Sequence, residues 1–479
     1  MKINKAIYYL LGASVLVTAV SCNDFLDTEP ITEQGISIEN PLKTAADAEN
    51  RMNTIYSAFG NEYWQLDYAM NGDAQTDNSY AGADNVQSFQ QDEYRIIATN
   101  SNVERDWKYL YGFINDCNMI LNYVDEINDP ALTTARKTEM KAEAAIFRSL
   151  YYFHAVQLWG DIPLVTKAVI GVNSGNFDEV YSQVYPARKP VQEVYDMIIA
   201  DLEGAIANAP SGSEKYRANK NFAYGLLAKV YASKPNPDWA KVKQYATNIS
   251  GVGLMPVYDQ LFDGLHEGNT ESIFEANGNA GSVWAWGSSM FLGTDWKKFN
   301  IPSNDLVKTF TDAGDTQRFN SSVKFSPVAW SDKYWASTNY PFMYKMRKMD
   351  GTQNFYIMRY ADILLLQAEA AARTGDFTGA AGYINQVRGR VNMNVVTVTS
   401  EADGIAKVLA ERKLELAFEG QRWFDLKRTG MAVSILSQQK DGNGNVLPYA
   451  ASINQNRLLW PIPQGQRDNN QNLTQNQGY

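Results

Sequence analysis

The chain has 479 residues, of which 45% are hydrophobic and 20% are charged, and this balance describes a globular body rather than a polytopic membrane protein. Its length is enough for one large domain or for two to three ordinary ones. The formal net charge is -10, so the clustered positive charge that binds nucleic-acid phosphates is not expected. The two histidines and two cysteines show no spacing that indicates a metal site or a bound cofactor.

The N-terminus is predicted to be a secretory signal peptide. Residues 1–21 begin with Lys2 and Lys5 and continue as an apolar stretch that is short for a membrane-spanning helix. Cys22 follows small residues in a pattern that resembles a bacterial lipobox. We predict that Cys22 is acylated and holds the chain on a membrane through a tether at 22–40. Ordinary signal cleavage, with Cys22 as a free thiol, is the alternative.

Several long segments repeat hydrophobic residues with the 3.6-residue period of an amphipathic helix. In chain order these segments are residues 44–59, 102–125, 138–158, 190–208, 219–232, 360–373, 377–391 and 401–418. They predict a mainly helical fold. Small residues such as Ala228 and Ala368, followed by short breaks, indicate helix–turn–helix pairs similar to tetratricopeptide repeats. Cys117 lies on an apolar helical stripe and is expected to be buried.

Two segments, 60–100 and 251–359, lack this helical period and are rich in Gly, Asn, Ser and aromatic residues. We interpret both as long irregular insertions on a helical frame, since such loops commonly carry function. The chain is therefore divided into a helical region at 41–250, an aromatic-rich insertion at 251–359 and a second helical region at 360–479. We expect all three to pack as one globular unit.

Several segments spread over the whole chain carry a family resemblance. They include KAEAAIFRSLYYFHAVQLWGDIPLV at 141–165, MRYADILLLQAEAAARTGDF at 358–377, ERKLELAFEGQRWFDLKRTG at 411–430 and LLWPIPQGQRDNNQNLTQNQGY at 458–479. They resemble the SusD/RagB family of outer-membrane nutrient-binding lipoproteins. The chain departs from the family pattern at Ala144 and Ala145, where larger or basic residues are usual, and at Gln477, where Pro usually precedes Gly478.

The resemblance implies a SusD-like fold with four tetratricopeptide-like helix pairs, long loop insertions and minor β structure. It also implies that the protein captures oligosaccharides or polysaccharides at the cell exterior. The implied location is the outer membrane, and the implied partner is a TonB-dependent barrel of the SusC type. We expect the repeat helices to hold the barrel and the aromatic loops to face the nutrient. A peptide or another nutrient is the alternative cargo.

The sequence favours a binding protein over an enzyme. No nucleophile motif, phosphate-binding loop or metal spacing is present. Carboxylates are numerous enough to form the pair that a glycosidase needs, and this leaves catalysis as an alternative. In the 411–430 motif we expect structural ion pairs at helical spacings, between Arg412 and Glu415 and between Asp425 and either Arg422 or Arg428.

Aromatic residues of the two irregular segments are the candidates for the binding site. A sugar ring has an apolar face of C–H bonds, which an aromatic ring can cover, and a rim of hydroxyls for polar side chains. The family places its sites in variable loops, so no site residue transfers by motif. We expect at least two of the candidates to line the site, although core packing is the commoner role for any single ring. The candidates are Trp284, Trp286, Trp296, Trp330, Trp335, Tyr80 and Trp64.

Overall fold

The computed structural model describes residues 41–168, 175, 177–277 and 286–479. The predicted signal segment, the tether with Cys22 and the candidate Trp284 lie outside these residues. The main compact unit comprises residues 42–168 and 185–479, and the short helix Phe177–Val184 belongs to a second unit. Within the described residues, no helix combines the length and the apolar character that crossing a membrane requires.

Helices dominate the described chain, and this confirms the mainly helical fold. All eight predicted helical segments are found. The segment predicted at 401–418 ends early, at Glu415, because the chain then turns through Phe418 and Gly420, whose φ angles of 65° and 70° are left-handed. The α-helices are α1 Ala45–Ser57, α2 Val86–Asp92, α3 Ser101–Tyr123, α4 Thr134–Trp159, α5 Phe177–Val184, α6 Val191–Ala205, α7 Lys220–Ser233, α8 Trp239–Asn248, α9 Ser288–Phe291, α10 Asn304–Ala313, α11 Thr316–Ser322, α12 Tyr360–Arg373, α13 Phe377–Arg390, α14 Glu401–Glu415, α15 Arg422–Arg428, α16 Ala432–Leu436 and α17 Gln464–Asn469.

Short antiparallel strand pairs supply the minor β structure. Each pair joins two strands that are not adjacent in the sequence. In the pair of β1 with β5, for example, Tyr80 lies opposite Ile301. Most of these strands belong to the segment 251–359, which is therefore partly ordered by pairing. The described pairs are β1 Ser79–Gly82 with β5 Phe299–Pro302, β2 Ile162–Pro163 with β3 Arg188–Lys189, β4 Ser272–Ala276 with β8 Phe355–Arg359, and β6 Val323–Ser326 with β7 Tyr340–Met343.

Helices that follow one another in the chain pack side by side. Helix α3 packs on α4, α7 on α8 and α12 on α13, while α6 packs along α4. Ala228 on α7 and Ala368 on α12 are fully buried. Small side chains at these positions allow two helices to approach closely, as in tetratricopeptide repeats. The stack of helix pairs that the alanine pattern predicts is therefore present.

The largest hydrophobic core runs through α1, α3, α4, α6 and α7. It also takes in residues from the end of the chain, because Trp423 and Trp460 are fully buried and the ring of Trp460 packs edge-on against Trp159 at 5.7 Å. Cys117 on α3 is buried in the same core, as the sequence predicts. The C-terminal segment thus contributes directly to the stability of the helical frame.

The segment 60–100 is more deeply buried than the sequence predicts. It begins with two π-helical turns, Tyr63–Asp67 and Met70–Ala74, whose residues are all buried. These turns form a second core with residues of the 286–355 region, among them Phe291 and Phe310. Aromatic residues near position 64 therefore stabilise the interior and do not line the surface.

The buried charged side chains of α14 bind across the fold rather than along the helix. The predicted pair of Arg412 with Glu415 is wrong. Arg412 instead donates to Asp362 on α12 and to Asp425 on α15, at 2.6 Å each. Glu415 accepts from Arg359 at 2.5 Å. Helical spacing brings Arg412 and Glu415 near each other, but buried charges bind the partners that best replace their lost water.

The second predicted ion pair of this motif is confirmed in one of its two forms. Asp425 binds Arg428 at 2.8 Å. Arg422 instead donates to Asp77, also at 2.8 Å, and Asp77 accepts a further bond from Lys413. Although burial opposes ionisation, the charges of Arg422 and Lys413 hold the pKa of Asp77 well below its usual range. The ion pairs of Asp77 fasten the segment that follows the π-helical turns to α14 and α15.

Candidate functional site

Aromatic residues of the 251–359 insertion gather on the loop at 327–339, which joins β6 to β7. Two backbone hydrogen bonds close this loop. The Val328 N–H donates to the Ser337 carbonyl at 2.8 Å, and the Asp332 N–H donates to the Trp335 carbonyl at 3.2 Å. The loop is therefore folded on itself, and it holds Trp330 and Trp335 half-buried at its surface.

The carboxylate of Asp332 is the centre of this loop. It accepts hydrogen bonds from the hydroxyls of Tyr80 and Tyr340, each at 2.7 Å. It also accepts from the backbone N–H groups of Tyr334 and Trp335, at 2.8 and 2.9 Å. Since Tyr80 belongs to β1 and Tyr340 to β7, the carboxylate fastens the loop to both strands. Four donors on one charged acceptor fix the orientation of the rings around it.

Burial and neighbouring negative charge set the state of the two hydroxyls at this carboxylate. Burial is the largest cause of the raised pKa of Tyr80, and the nearby Asp332 raises it further. The pKa of Tyr340 is raised for the same two reasons. Both hydroxyls therefore stay protonated at physiological pH, so that each can donate to Asp332.

The rings around Asp332 pack in pairs, and we call Tyr80, Trp330, Tyr334, Trp335 and Tyr340 the loop cluster. The ring of Tyr334 lies against that of Tyr80 with centroids 4.2 Å apart. Trp330 meets Tyr340 edge-on at 6.0 Å. The indole N–H of Trp335 donates to the carbonyl of Pro302 at 3.0 Å. Tyr80 and Tyr340 are buried beneath, while the other three rings remain partly open to solvent.

Trp296 is the most open of the described candidates, with 36% of its surface exposed. The ammonium group of Lys298 lies 3.9 Å from the centre of its ring, which is a cation–π contact. Lys298 is itself held by the Ser289 carbonyl at 2.9 Å and by Asp295 at 2.8 Å. One face of the indole is thus supported by a fixed cation, and the ring has a defined position although it is exposed.

Trp296 and the loop cluster lie at opposite ends of one strand. Trp296 precedes β5 by three residues, and Trp335 binds Pro302, the last residue of that strand. Four residues of extended chain span about 10 Å, so β5 separates its two ends by about that distance. The two aromatic groups are therefore two separate contact points along the strand.

The remaining described candidates are Trp64, Tyr80 and Trp286. Trp64 is only 2% exposed and packs among Phe59, Tyr68 and His154, where it lines an internal cavity and presents no ring face at the surface. Tyr80 is 5% exposed and supports the loop cluster from below. Trp286 is half-buried, and its indole N–H donates to the Gly60 carbonyl at 3.1 Å. The structure thus corrects the expectation for Trp64 as a surface platform.

The sequence singled out the tryptophans of this loop and Tyr80, but not the other residues that hold the rings. Asp332 and Tyr334 are close to Trp335 in the sequence, and this proximity to a candidate was the sequence signal that could have identified them. Tyr449 had none, although its hydroxyl lies 2.8 Å from that of Tyr334, which is 115 residues away in the chain. Contacts of this kind depend on the tertiary fold, and no local pattern encodes them.

An internal cavity between α4, α7 and α12 is lined by charged groups that already have partners. Lys229 binds Asp362 at 2.7 Å, and Arg412 binds the same carboxylate. Burial, and then the charge of Lys229, lowers the pKa of His154 to about 3, so this imidazole is neutral. These groups stabilise the junction of the helices. The open aromatic positions at the loops remain the best candidate for ligand binding.

A stack of helix pairs that carries its exposed aromatic rings on inserted hairpins and loops defines a helical ligand-binding scaffold. Comparison with known families gives the same result in more specific terms. The chain belongs to the SusD family, whose model matches residues 235–479. A second family model, described as starch-binding and associating with the outer membrane, matches residues 24–232.

Individual relatives support this assignment over most of the chain. A SusD-like protein of Bacteroides ovatus is 24% identical over 87% of this chain and 81% of its own length. The starch-binding protein SusD of Bacteroides thetaiotaomicron is 24% identical over 79% of each chain. Among solved structures, a laminarin-binding SusD-like protein superposes with a TM-score of 0.71 at 23% identity, covering 91% of this chain and 100% of the other. The last comparison establishes a shared fold.

Proposed function

We propose that this protein captures oligosaccharides or polysaccharides at the cell surface and passes them to a SusC-like TonB-dependent barrel in the outer membrane. Lipid attachment at Cys22 would keep it there. Membership of the SusD family, the starch-binding relative and the outer-membrane description of the second model support this proposal. The observation that carries it is the loop cluster, in which three partly open rings are fixed around one carboxylate.

The geometry suits a ligand that is held by its apolar faces. Stacking on Trp330, Trp335 or Trp296 covers the C–H face of a sugar ring and removes apolar surface from water. The rings are fixed before the ligand arrives, so little side-chain entropy is lost on binding. A chain that reaches from the loop cluster to Trp296 gains both contacts, and we therefore propose an oligomeric ligand. No catalytic step is part of this proposal.

Affinity electrophoresis against a panel of polysaccharides tests the proposal. We expect at least one polysaccharide to retard the purified protein, with Trp330→Ala, Trp335→Ala and Trp296→Ala each weakening binding about tenfold to thirtyfold. Trp239→Ala is the matched control, since Trp239 is a half-buried tryptophan on α8 that packs against Arg373.

Two results would overturn the proposal. The first is that every glycan in the panel fails to bind while a peptide library binds. The second is that the three loop variants retain full affinity and Trp239→Ala alone loses it, which would move the binding surface to the repeat helices.

A further inference from the structure

The part of the chain that carries the loop cluster is locally basic. The protein has a formal net charge of -10, yet residues 321–349 contain five basic residues and one acidic residue, Asp332. The basic residues are Lys324, Lys333, Lys345, Arg347 and Lys348. A positive segment on an acidic protein creates a local potential that the total charge conceals.

Only some of these basic residues are used within the fold. Lys345 binds Glu419 at 2.6 Å, and Arg347 binds Asp259, also at 2.6 Å. Lys324, Lys333 and Lys348 form no ion pair with any described residue. Lys324 and Lys333 are exposed to solvent.

Lys333 belongs to the loop that holds the candidate site. Its ammonium group lies 5.0 Å from the ring centres of both Tyr334 and Tyr449, whose hydroxyls are 2.8 Å apart. Two aromatic rings thus hold this cation in place beside the loop cluster.

Neither Asp332 nor Asp92 forms an ion pair with Lys333 among the described residues. The carboxylate of Asp332 instead accepts hydrogen bonds from four other donors. The carboxyl group of Asp92, a buried residue that interacts electrostatically with Lys333, Tyr334 and Tyr449, has its pKa raised to about 8, mainly by burial. It is largely protonated at neutral pH and carries little negative charge. The ammonium group is therefore positioned by rings and left without a counter-ion among the described side chains.

We propose that the glycan bound at the loop cluster is acidic, and that one of its carboxylate or sulfate groups pairs with Lys333 while a sugar ring stacks on the neighbouring aromatic side chains. This inference rests on the proposed function, because it concerns the same site. A preset cation beside an apolar surface matches a sugar that bears one anionic substituent, since both groups are satisfied in one binding mode. Lys324 adds to the attraction at longer range.

Binding of acidic and neutral polysaccharides can be compared directly. The probes are polygalacturonate, which carries carboxylates, a sulfated galactan, and the neutral glucans laminarin and amylose. We expect at least one acidic probe to bind more tightly than the neutral ones, with an affinity that falls as salt is raised. Lys333→Gln should weaken binding of that probe about tenfold. The two acidic probes distinguish a carboxylate from a sulfate.

Lys308→Gln is the matched control, because Lys308 is an exposed lysine of the same insertion that already pairs with Asp312 at 2.7 Å. It should leave the affinity unchanged. Binding of neutral glucans alone would overturn the inference and leave the proposed function standing. Binding of an acidic probe with full affinity in Lys333→Gln would also overturn it. Failure of all four probes, together with the rest of a glycan panel, would overturn both proposals.

Discussion

At the scale of single residues, Asp332 determines the geometry of the loop cluster. Replacing Asp332 by Asn keeps one acceptor oxygen but removes the negative charge. It also places an amide N–H₂ group next to hydroxyl and backbone N–H groups that are themselves donors. We expect Asp332→Asn to weaken glycan binding about tenfold, since charge-assisted hydrogen bonds are roughly twice as strong as neutral ones. Isothermal titration with the bound polysaccharide measures the change.

A second aspartate provides the control for this substitution. Asp350 is exposed, and among the described residues it accepts from the backbone N–H and the hydroxyl of Thr352, at 3.0 and 2.7 Å. Asp350→Asn should bind as the unchanged protein does. Equal affinity of Asp332→Asn and Asp350→Asn would show that the carboxylate does not organise the rings.

Asp92 gives a residue-scale prediction about pH. Burial raises the pKa of Asp92 to about 8, from a usual value near 4. Between pH 4 and pH 8 the folded state therefore keeps a proton that the unfolded state has released. The contribution of this group to stability therefore falls as pH rises from about 4 to about 8. Asn carries no ionisable proton, and its oxygen can still accept from the Ala81 N–H, as Asp92 does. We expect Asp92→Asn to be more stable than the unchanged protein at pH 8, with the difference vanishing near pH 4.

Urea unfolding at the two pH values measures this difference. One pKa unit corresponds to about 1.4 kcal/mol, so a gain of at least that size is expected at pH 8. Asp84→Asn is the control, because Asp84 is exposed and pairs with Lys297 at the surface, and its effect should be small at both pH values. A stability difference for Asp92→Asn that is the same at pH 4 and pH 8 would contradict the buried, protonated carboxyl.

The candidate tryptophans show how far composition alone can predict a site. Trp64 and Trp296 are both surrounded by Gly, Asn and Asp residues, so the sequence gives the same prediction of surface exposure for both. The structure buries the first in a cluster of rings and leaves the second at the surface over Lys298. The difference arises because residues 63–67 form a helical turn against the core, and no periodic pattern in so short a segment predicts this.

At the scale of elements, the helices were predictable and their cross-links were not. Long segments such as α4 and α12 repeat apolar residues often enough to fix their period. The pairing of β1 with β5 joins residues more than 200 positions apart, since Ser79 lies opposite Pro302, and strands of four residues carry too little pattern to indicate a partner. The loop at 327–339 contacts β1 through Tyr80 and β5 through Pro302, so its position could not be predicted from the sequence.

Arg412 carries the element-scale prediction, because it connects three helices. It donates to Asp362 on α12 and to Asp425 on α15, and all three side chains are buried. Removing one partner of a buried ion pair leaves the other charge uncompensated, at a cost of about 3–5 kcal/mol. We expect Arg412→Ala to lose stability of this order in guanidinium unfolding, with no direct effect on the loop cluster.

Arg95 provides the comparison. It binds Glu93 at 2.5 Å, but half of its side chain is exposed, and exposed pairs contribute at most about 1 kcal/mol. Arg95→Ala should therefore unfold close to the unchanged protein. If both variants lost the same small amount, the buried network would not be what holds α12, α14 and α15 together.

At the scale of the whole molecule, stability and binding are assigned to different parts of the fold. The stacked helices and the C-terminal segment form the large core, while the rings proposed to bind the ligand belong to loops around short strand pairs. Loops of this kind accept sequence change at little cost to the frame. Two solved SusD-family structures share this fold at 21% and 23% identity, so most residues can change while the frame is kept.

Membrane attachment is the last property that can be separated from ligand binding, because Cys22 precedes the folded body. We expect Cys22→Ser to abolish incorporation of labelled fatty acid and to release the protein from the outer-membrane fraction, since acyl chains supply the affinity for the bilayer. The released protein should bind glycan as tightly as the unchanged one. Cys117→Ser is the control, because this buried cysteine lies within α3, and it should keep the label. Label that persists in Cys22→Ser would place the lipid elsewhere and remove the basis for the proposed anchor.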